Sequence, residues 1–313
     1  MAFDLEAACG TAVPAEARPA PTGPARRRSW TAASASALLL GLAAFLAWSL
    51  SAQPVMADRL AGLVADCSGL DAEPRALLTL CEQALEADDG RLGPENRAAV
   101  HYNAGVAALD MGRAVQAQGH FDAAIALAPA MAPAWVSRGL ALGAQGRVEE
   151  AVESYGRAIA ADPSAPGPYL ARGRLQAEQG RFEPALADYT AALEREPDWE
   201  ASYFERARVF AALGRWREAE QDFSAVIARR PRDPAAWLGR AEARAANGIA
   251  AARNDFDRAV LLAPEWGAAH YARGLYLEAA DEAEAAGADF LRAYELGHSA
   301  PDLLERVRAL SGG

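Results

Sequence analysis

The chain has 313 residues, a formal net charge of −11 at neutral pH and not a single lysine. Residues 1–28 hold four arginines against three carboxylates, a net charge of +1, which leaves −12 for the rest of the chain. So acidic a domain argues against nucleic-acid binding, because phosphates attract basic surfaces. Arginine in place of lysine, together with abundant alanine and glycine, suggests a GC-rich bacterial genome.

The N-terminal segment predicts a membrane anchor. Residues 1–29 are rich in alanine and proline and lack helical periodicity, which predicts a disordered cytoplasmic tail. Residues 30–53 carry no charge and predict a transmembrane helix, since about 20 apolar residues span a bilayer core of about 30 Å. Arg26, Arg27 and Arg28 precede this segment and hold the N-terminus in the cytoplasm. We therefore expect a single-pass protein of the bacterial inner membrane, with the domain that follows in the periplasm.

A cleaved signal peptide is the alternative for the same segment. Val55-Met56-Ala57 satisfies the small-residue rule for cleavage, which would release the chain into the periplasm after Ala57. The long tail before the apolar run favours the anchor.

Residues 54–97 predict a linker followed by an N-terminal capping helix. Within 75–87, apolar residues recur on one side of a helix, at Leu77, Leu78, Cys81, Ala84 and Leu85. Cys67 and Cys81 could close a disulfide in an oxidising periplasm, and two buried thiols are the alternative.

A 34-residue period organises the chain from residue 98 onward. Small residues recur at places 8, 20 and 27 of each unit, aromatic residues at places 4 and 24, glycine at place 15 and proline at place 32. One unit reads Trp135, Gly139, Gly146, Ala151, Tyr155, Ala158, Pro163, and the next reads Tyr169, Gly173, Gly180, Ala185, Tyr189, Ala192, Pro197. This pattern resembles the tetratricopeptide repeat, which implies two antiparallel helices per unit and an all-α, right-handed α-solenoid.

We count six units within 98–300, and they are 98–131, 132–165, 166–199, 200–233, 234–266 and 267–300. The fifth is one residue short after Gly248, which predicts a tighter internal turn. The sixth has Asp281 at the turn and His298 in place of proline, as terminal repeats often do. Residues 301–313 predict a C-terminal capping helix with Leu303, Leu304, Val307 and Leu310 on one stripe.

An arginine column and an aspartate column run through the units. Arginine occupies place 7 at Arg138, Arg172, Arg206, Arg240 and Arg273, and aspartate occupies place 23 at Asp188, Asp222, Asp255 and Asp289. We expect an Arg–Asp pair to join the two helices of a unit. The alternative is an arginine ladder that grips acidic partners, and the accompanying aspartates favour the structural role.

The resemblance implies that the first helices of the units, the A helices, line a concave groove that binds peptides or proteins. Groove candidates at place 5 are Tyr102, Val136, Leu170, Phe204, Leu238 and Tyr271. Those at place 9 are Val106, Leu140, Arg174, Arg208 and Glu242. The alternative for the place-5 residues is packing between helices, whereas Arg174 and Arg208 gain little from packing and favour ligand contact.

No motif for catalysis, a metal, a cofactor or a small-molecule substrate is visible. We therefore predict a non-catalytic interaction scaffold or assembly factor that binds other proteins or peptides. Two alternatives are an envelope chaperone that delivers clients, as in cytochrome c maturation, and an accessory subunit of an envelope enzyme or secretion complex.

Overall fold

The computed structural model describes residues 59–68 and 73–311, and all regular secondary structure within these ranges is α-helical. The predicted tail and transmembrane helix, 1–29 and 30–53, lie outside the described residues. None of the described helices is both long and apolar enough to span a bilayer. The chain divides into two compact units, the first ending at Ala161 and the second beginning at Asp162.

The first unit consists of three helical hairpins. Its helices are α1 (59–67), α2 (Pro74–Ala87), α3 (Pro94–Asp110), α4 (Ala114–Leu127), α5 (Ala132–Ala144) and α6 (Val148–Ala161). Helices α3 and α5 are the A helices of the first two predicted repeats, and α4 and α6 are their partners, the B helices.

The second unit holds four more hairpins and one closing helix. Its helices are α7 (Gly167–Glu178), α8 (Phe182–Arg195), α9 (Glu200–Ala212), α10 (Trp216–Arg229), α11 (Pro234–Ala246), α12 (Ala252–Leu262), α13 (Gly267–Ala279), α14 (Ala283–Glu295) and α15 (Leu303–Ser311). Within this unit each helix packs on its chain neighbours, and each A helix also contacts the next A helix.

Helices α1 and α2 cap the first unit. Leu78, Cys81 and Ala84 are buried against α3, as the apolar stripe predicts. Cys67 at the end of α1 is disulfide-bonded to Cys81, with their Cα atoms 4.9 Å apart. The Asn103 side chain donates a hydrogen bond to the Cys67 carbonyl at 3.1 Å, which ties α3 to the cap. Helix α1 was not predicted.

The turn inside each repeat needs a left-handed backbone at place 15. Gly146, Gly180 and Gly214 have φ of 74°, 70° and 71°, which glycine adopts without steric cost. Asp281 takes this place in the last repeat with φ 62°, and it is the only described non-glycine residue with a positive φ. The recurrent glycine is therefore a conformational requirement of the turn.

The two helices of a hairpin approach closely where glycine faces an aromatic ring. A Cβ on Gly173 would lie 2.7 Å from the Tyr189 ring, closer than real side-chain atoms come. In the next repeat Ala207 occupies the same place, and Gly239 of the following A helix makes room instead, because its Cβ would lie 2.4 Å from the Phe223 ring. The glycine thus lies on the A helix that the aromatic ring contacts most closely: that of the same repeat for Tyr189, and that of the next repeat for Phe223.

Three features of the helices differ from the predictions. Helix α3 starts at Pro94, four residues before the predicted start of the first repeat at residue 98. The fifth repeat has no tighter turn: residues 247–251 separate its helices, and the missing residue shortens α12, which has 11 residues against 14 in α10. In α15 Leu303 is buried but Leu304 is 40% exposed, because neighbouring helix positions point in different directions; the Leu310 side chain lies outside the described residues.

Candidate functional site

The arginine column pairs with the aspartate column inside the repeats, as predicted. Arg206 donates to both carboxylate oxygens of Asp222, from Nε at 2.7 Å and from Nη2 at 2.9 Å. The same two-pronged contact joins Arg172 to Asp188, Arg240 to Asp255 and Arg273 to Asp289. The four aspartates are buried, and Asp255 is only 2% exposed.

Most of these arginines also reach the B helix of the preceding repeat. Arg206 Nη1 donates to Thr190 Oγ1 at 3.1 Å, and Arg273 Nη1 donates to Asp257 Oδ1 at 2.9 Å. Arg138 has Ser154 at place 23 and takes Asp122 of the preceding B helix as its carboxylate, with Nε 2.6 Å from Oδ1. One guanidinium thus connects three helices, which is a structural role.

Ionisation of the Arg206–Asp222 pair reflects burial and mutual attraction. Desolvation raises the pKa of Asp222, and the hydrogen bond and charge of Arg206 oppose that rise. The hydrogen bond to Asp222 in turn raises the pKa of Arg206. Arg206 and Asp222 therefore bind one another, and neither side chain is a candidate for contact with a partner.

The place-5 residues pack into the repeats. Val136, Leu170 and Leu238 are buried at 6%, 1% and 8% exposure, which corrects their assignment to an open groove. The other three lie against the place-24 ring of their own repeat, with centroid distances of 6.0 Å for Tyr102–Phe121, 5.7 Å for Phe204–Phe223 and 6.0 Å for Tyr271–Phe290.

Tyr271 is also covered by the closing helix region. Its hydroxyl donates a 2.6 Å hydrogen bond to Asp302, and its ring lies 5.0 Å from that of His298. Burial and the contact with Asp302 raise the pKa of Tyr271. This side chain closes the last repeat and is not an open groove residue.

The place-9 residues differ between the two units. In the first unit, Val106 packs on the N-terminal core and Leu140 is half-buried. In the second unit, place 9 carries Arg174 on α7, Arg208 on α9 and Glu242 on α11. Arg208 and Glu242 are exposed. Among the place-9 residues, charged side chains therefore occur only in the second unit.

Arg174 and Arg208 share a single carboxylate. Arg174 Nε donates to Glu205 Oε1 at 3.0 Å, and Arg208 Nη1 donates to Glu205 Oε2 at 3.1 Å. The Glu205 side chain is 17% exposed, against 30% for Arg174 and 64% for Arg208. Two guanidinium groups and one carboxylate give these three side chains a net charge of +1.

Glu205 was not predicted, because it occupies place 6, which was not among the groove positions. The signal available was its position three residues before Arg208, a spacing at which helical side chains meet. Arg174 and Glu205 lie 31 residues apart, and only the stacking of α7 on α9 brings them together.

Other features of the described residues give weaker signals. An open depression of about 450 Å³ lies on the second unit, lined by Leu186, Thr190, Phe210 and Arg215 among others. Within 59–68 and 73–311, no group of three or more His, Cys, Asp or Glu side chains is arranged to hold a metal ion.

Comparison with known families identifies the repeats. Models described as "TPR repeat" and "Tetratricopeptide repeat" match residues 139–180 and residues 170–205 and 204–251, respectively. This part of the chain belongs to the tetratricopeptide-repeat family. The matched segments overlap the second to fifth repeats of the 34-residue period, so the family resemblance of the sequence is confirmed.

Solved structures agree with the tetratricopeptide fold. The C-terminal part of a TPR repeat-containing protein from Cytophaga hutchinsonii aligns with a TM-score of 0.63 at 15% identity, over 80% of this chain and 98% of that one. A tetratricopeptide repeat protein from Parabacteroides merdae aligns with a TM-score of 0.54 at 20% identity, over 76% and 93%. YrrB, described as a TPR protein with an unusual peptide-binding site, aligns with a TM-score of 0.52 at 19% identity, over 62% and 97%. No curated protein matches this chain in sequence.

Tetratricopeptide repeats imply a scaffold that binds proteins or peptides, because an array of hairpins presents an extended surface. In the second unit of this chain, that surface carries Arg174, Arg208 and Glu242. We call the exposed side of α7, α9 and α11 that bears these residues and Ala246 the A-helix face.

Proposed function

We propose that this tetratricopeptide-repeat protein is a non-catalytic scaffold or assembly factor that binds a peptide or protein segment on its A-helix face. The observation that carries this proposal is the cluster of Arg174, Glu205 and Arg208. The cluster is accessible to a partner, and its two arginines carry one more positive charge than Glu205 neutralises. A carboxylate of the partner would complete the charge balance of this cluster.

The chemistry of the cluster suits a carboxylate partner. Glu205 occupies Nε of Arg174 and Nη1 of Arg208, and the remaining guanidinium nitrogens stay available as donors. Guanidinium groups bind carboxylates through paired hydrogen bonds, which fixes orientation as well as charge. YrrB, whose fold is similar, is described as having a peptide-binding site, which supports a peptide as one form of the partner.

We also propose that the repeats function in the bacterial periplasm, attached to the inner membrane through residues 30–53. The Cys67–Cys81 disulfide supports this compartment, because disulfides persist in oxidising environments. Mass determination of the mature N-terminus tests the anchor: an intact N-terminus supports it, and a chain beginning after Ala57 would replace it with a cleaved signal.

Affinity capture with the full-length chain tests the binding function. A tagged wild-type chain and the double variant Arg174→Glu/Arg208→Glu are expressed in the native bacterium and purified in mild detergent with their bound proteins. We expect the charge reversal to remove the stoichiometric partners that the wild type retains, since a partner carboxylate would now meet like charge.

The matched control is Arg157→Glu/Arg217→Glu, which makes the same charge change on exposed arginines of the B helices α6 and α10. We expect this control to retain the wild-type partners. If both double variants retained them, or if both lost them equally, the A-helix face would not be the binding surface.

A further inference from the structure

Helix α11 separates its three charged side chains onto opposite sides. Arg240 and Arg244 are four residues apart on one face and turn towards the B helices. Arg240 Nε lies 2.8 Å from Asp255, and Arg244 Nε lies 2.7 Å from Glu220. Glu242 lies midway between them in sequence, so the helical period directs it to the other side. The unpaired charge of α11 is therefore on the A-helix face.

Glu242 has no counter-charge within the protein. No hydrogen bond or ion pair to its carboxylate occurs among residues 59–68 and 73–311. Its side chain is nevertheless exposed, and the residues three and four positions away along α11 are all uncharged. An accessible carboxylate that has no internal partner can accept a charged group of a ligand without breaking a contact within the protein.

The surroundings of Glu242 also differ from bulk water. Desolvation by the surrounding protein raises the pKa of Glu242, although the side chain is solvent-accessible. A cation placed there interacts with the carboxylate more strongly than in bulk water, because the protein beside it screens charge less.

We propose that Glu242 is a specificity subsite that binds a lysine or arginine side chain of the segment seated on the A-helix face. The inference rests on the proposed function and adds the chemistry of the partner. The neighbouring helix α9 carries the net positive Arg174–Glu205–Arg208 cluster. The fitting segment therefore has an acidic group for that cluster and a basic group for Glu242.

Selection of random peptides by the full-length chain tests this subsite. Phage-displayed dodecapeptides are selected in parallel on the wild type, on Glu242→Gln and on Glu183→Gln, a control that neutralises an exposed carboxylate on the B helix α8. We expect the wild type and Glu183→Gln to select a basic residue at one fixed position, and Glu242→Gln to lose that preference.

Binding of a synthetic peptide then isolates the pair. We expect Glu242→Gln to weaken the wild-type-selected peptide about tenfold, the effect of one lost charge-assisted contact. A peptide with methionine at the basic position should bind the wild type and Glu242→Gln equally. Both variants keep the helix length and volume, and circular dichroism checks their fold.

The outcomes separate the subsite from the proposed function. If the wild type selects peptides that Arg174→Glu/Arg208→Glu no longer binds, but without a basic position sensitive to Glu242, the subsite proposal alone is overturned. If the wild type selects no peptide, the peptide-binding function fails and the subsite fails with it. A basic consensus that persists in Glu242→Gln also contradicts the subsite.

Discussion

At the scale of single residues, the Arg–Asp pairs hold adjacent helices together. Each aspartate is buried, so its charge is tolerated only because a guanidinium contacts both oxygens. Three of these arginines also donate a hydrogen bond to the B helix of the preceding repeat, where Thr190, Ser224 and Asp257 are the acceptors. The pairs therefore connect neighbouring repeats as well as the two helices within one.

Arg206→Met should lower the free energy of unfolding by about 3–5 kcal/mol, because it leaves the buried Asp222 carboxylate without a counter-charge. The double variant Arg206→Met/Asp222→Leu should recover most of this loss, since no isolated charge remains. Urea denaturation of the wild type, both single variants and the double variant measures the coupling. Equal stability of Arg206→Met and the wild type would contradict this account.

The imidazoles of His101 and His120 form a second residue-scale contact, with their Nδ1 atoms 3.3 Å apart. Burial lowers the pKa of both imidazoles, and the charges of His120 and Arg97 lower the pKa of His101 further. Glu82 opposes the shift at His120. The folded protein therefore binds protons less readily than the unfolded chain.

This contact should make stability depend on pH. Its contribution is present above pH 6.5, the ordinary histidine pKa, and is lost as the pH falls below that value, because protonation favours the unfolded chain. Thermal unfolding at pH 7.5 and pH 5.5 measures the effect. His101→Asn/His120→Gln should show a smaller difference than the wild type; an unchanged difference would rule out this histidine pair as the cause.

At the scale of elements, the hairpin is the unit that the sequence describes best. Glycine at place 15 and the glycine facing the Tyr189 ring follow directly from backbone and packing requirements, so the 34-residue period predicted the helices well. The compensating role of Gly239 could not be predicted, because it depends on the direction in which the Phe223 ring leans.

Asp281→Gly should stabilise the turn between α13 and α14. Asp281 has a left-handed backbone, φ 62°, in which an L side chain is strained and glycine is not. After the greater flexibility of glycine in the unfolded chain is subtracted, we expect a gain of about 0.5–1 kcal/mol. Denaturant melts give the value, and Gly214→Ala should shift stability in the opposite direction. A loss on Asp281→Gly would contradict the strain argument.

At the scale of the whole molecule, the candidate site was only partly predictable. Arg174 and Arg208 were named from the sequence because a charged residue gains little from packing, and Glu242 was named because it occupies place 9. Leu170 and Leu238 were misplaced because an apolar residue suits a groove and a core equally well, and only the neighbouring helices decide between them. Glu205 required knowledge of how consecutive repeats stack.

In the second unit, the arginines at places 7 and 9 have different roles. Those at place 7 pair with buried aspartates, whereas Arg174 and Arg208 at place 9 share one carboxylate and keep a net positive charge. Glu242 adds an unpaired negative charge one repeat further along. Binding by the A-helix face is the central claim of this account.

Site-directed photo-crosslinking in the native bacterium tests that claim most directly. A benzophenone side chain replaces either Ala246, exposed on the A-helix face one turn after Glu242, or Glu194, exposed on the B helix α8. After irradiation, the full-length chain should form a discrete crosslinked product from position 246 and none from position 194. Crosslinking from position 194 alone, or equally from both positions, would contradict binding on the A-helix face.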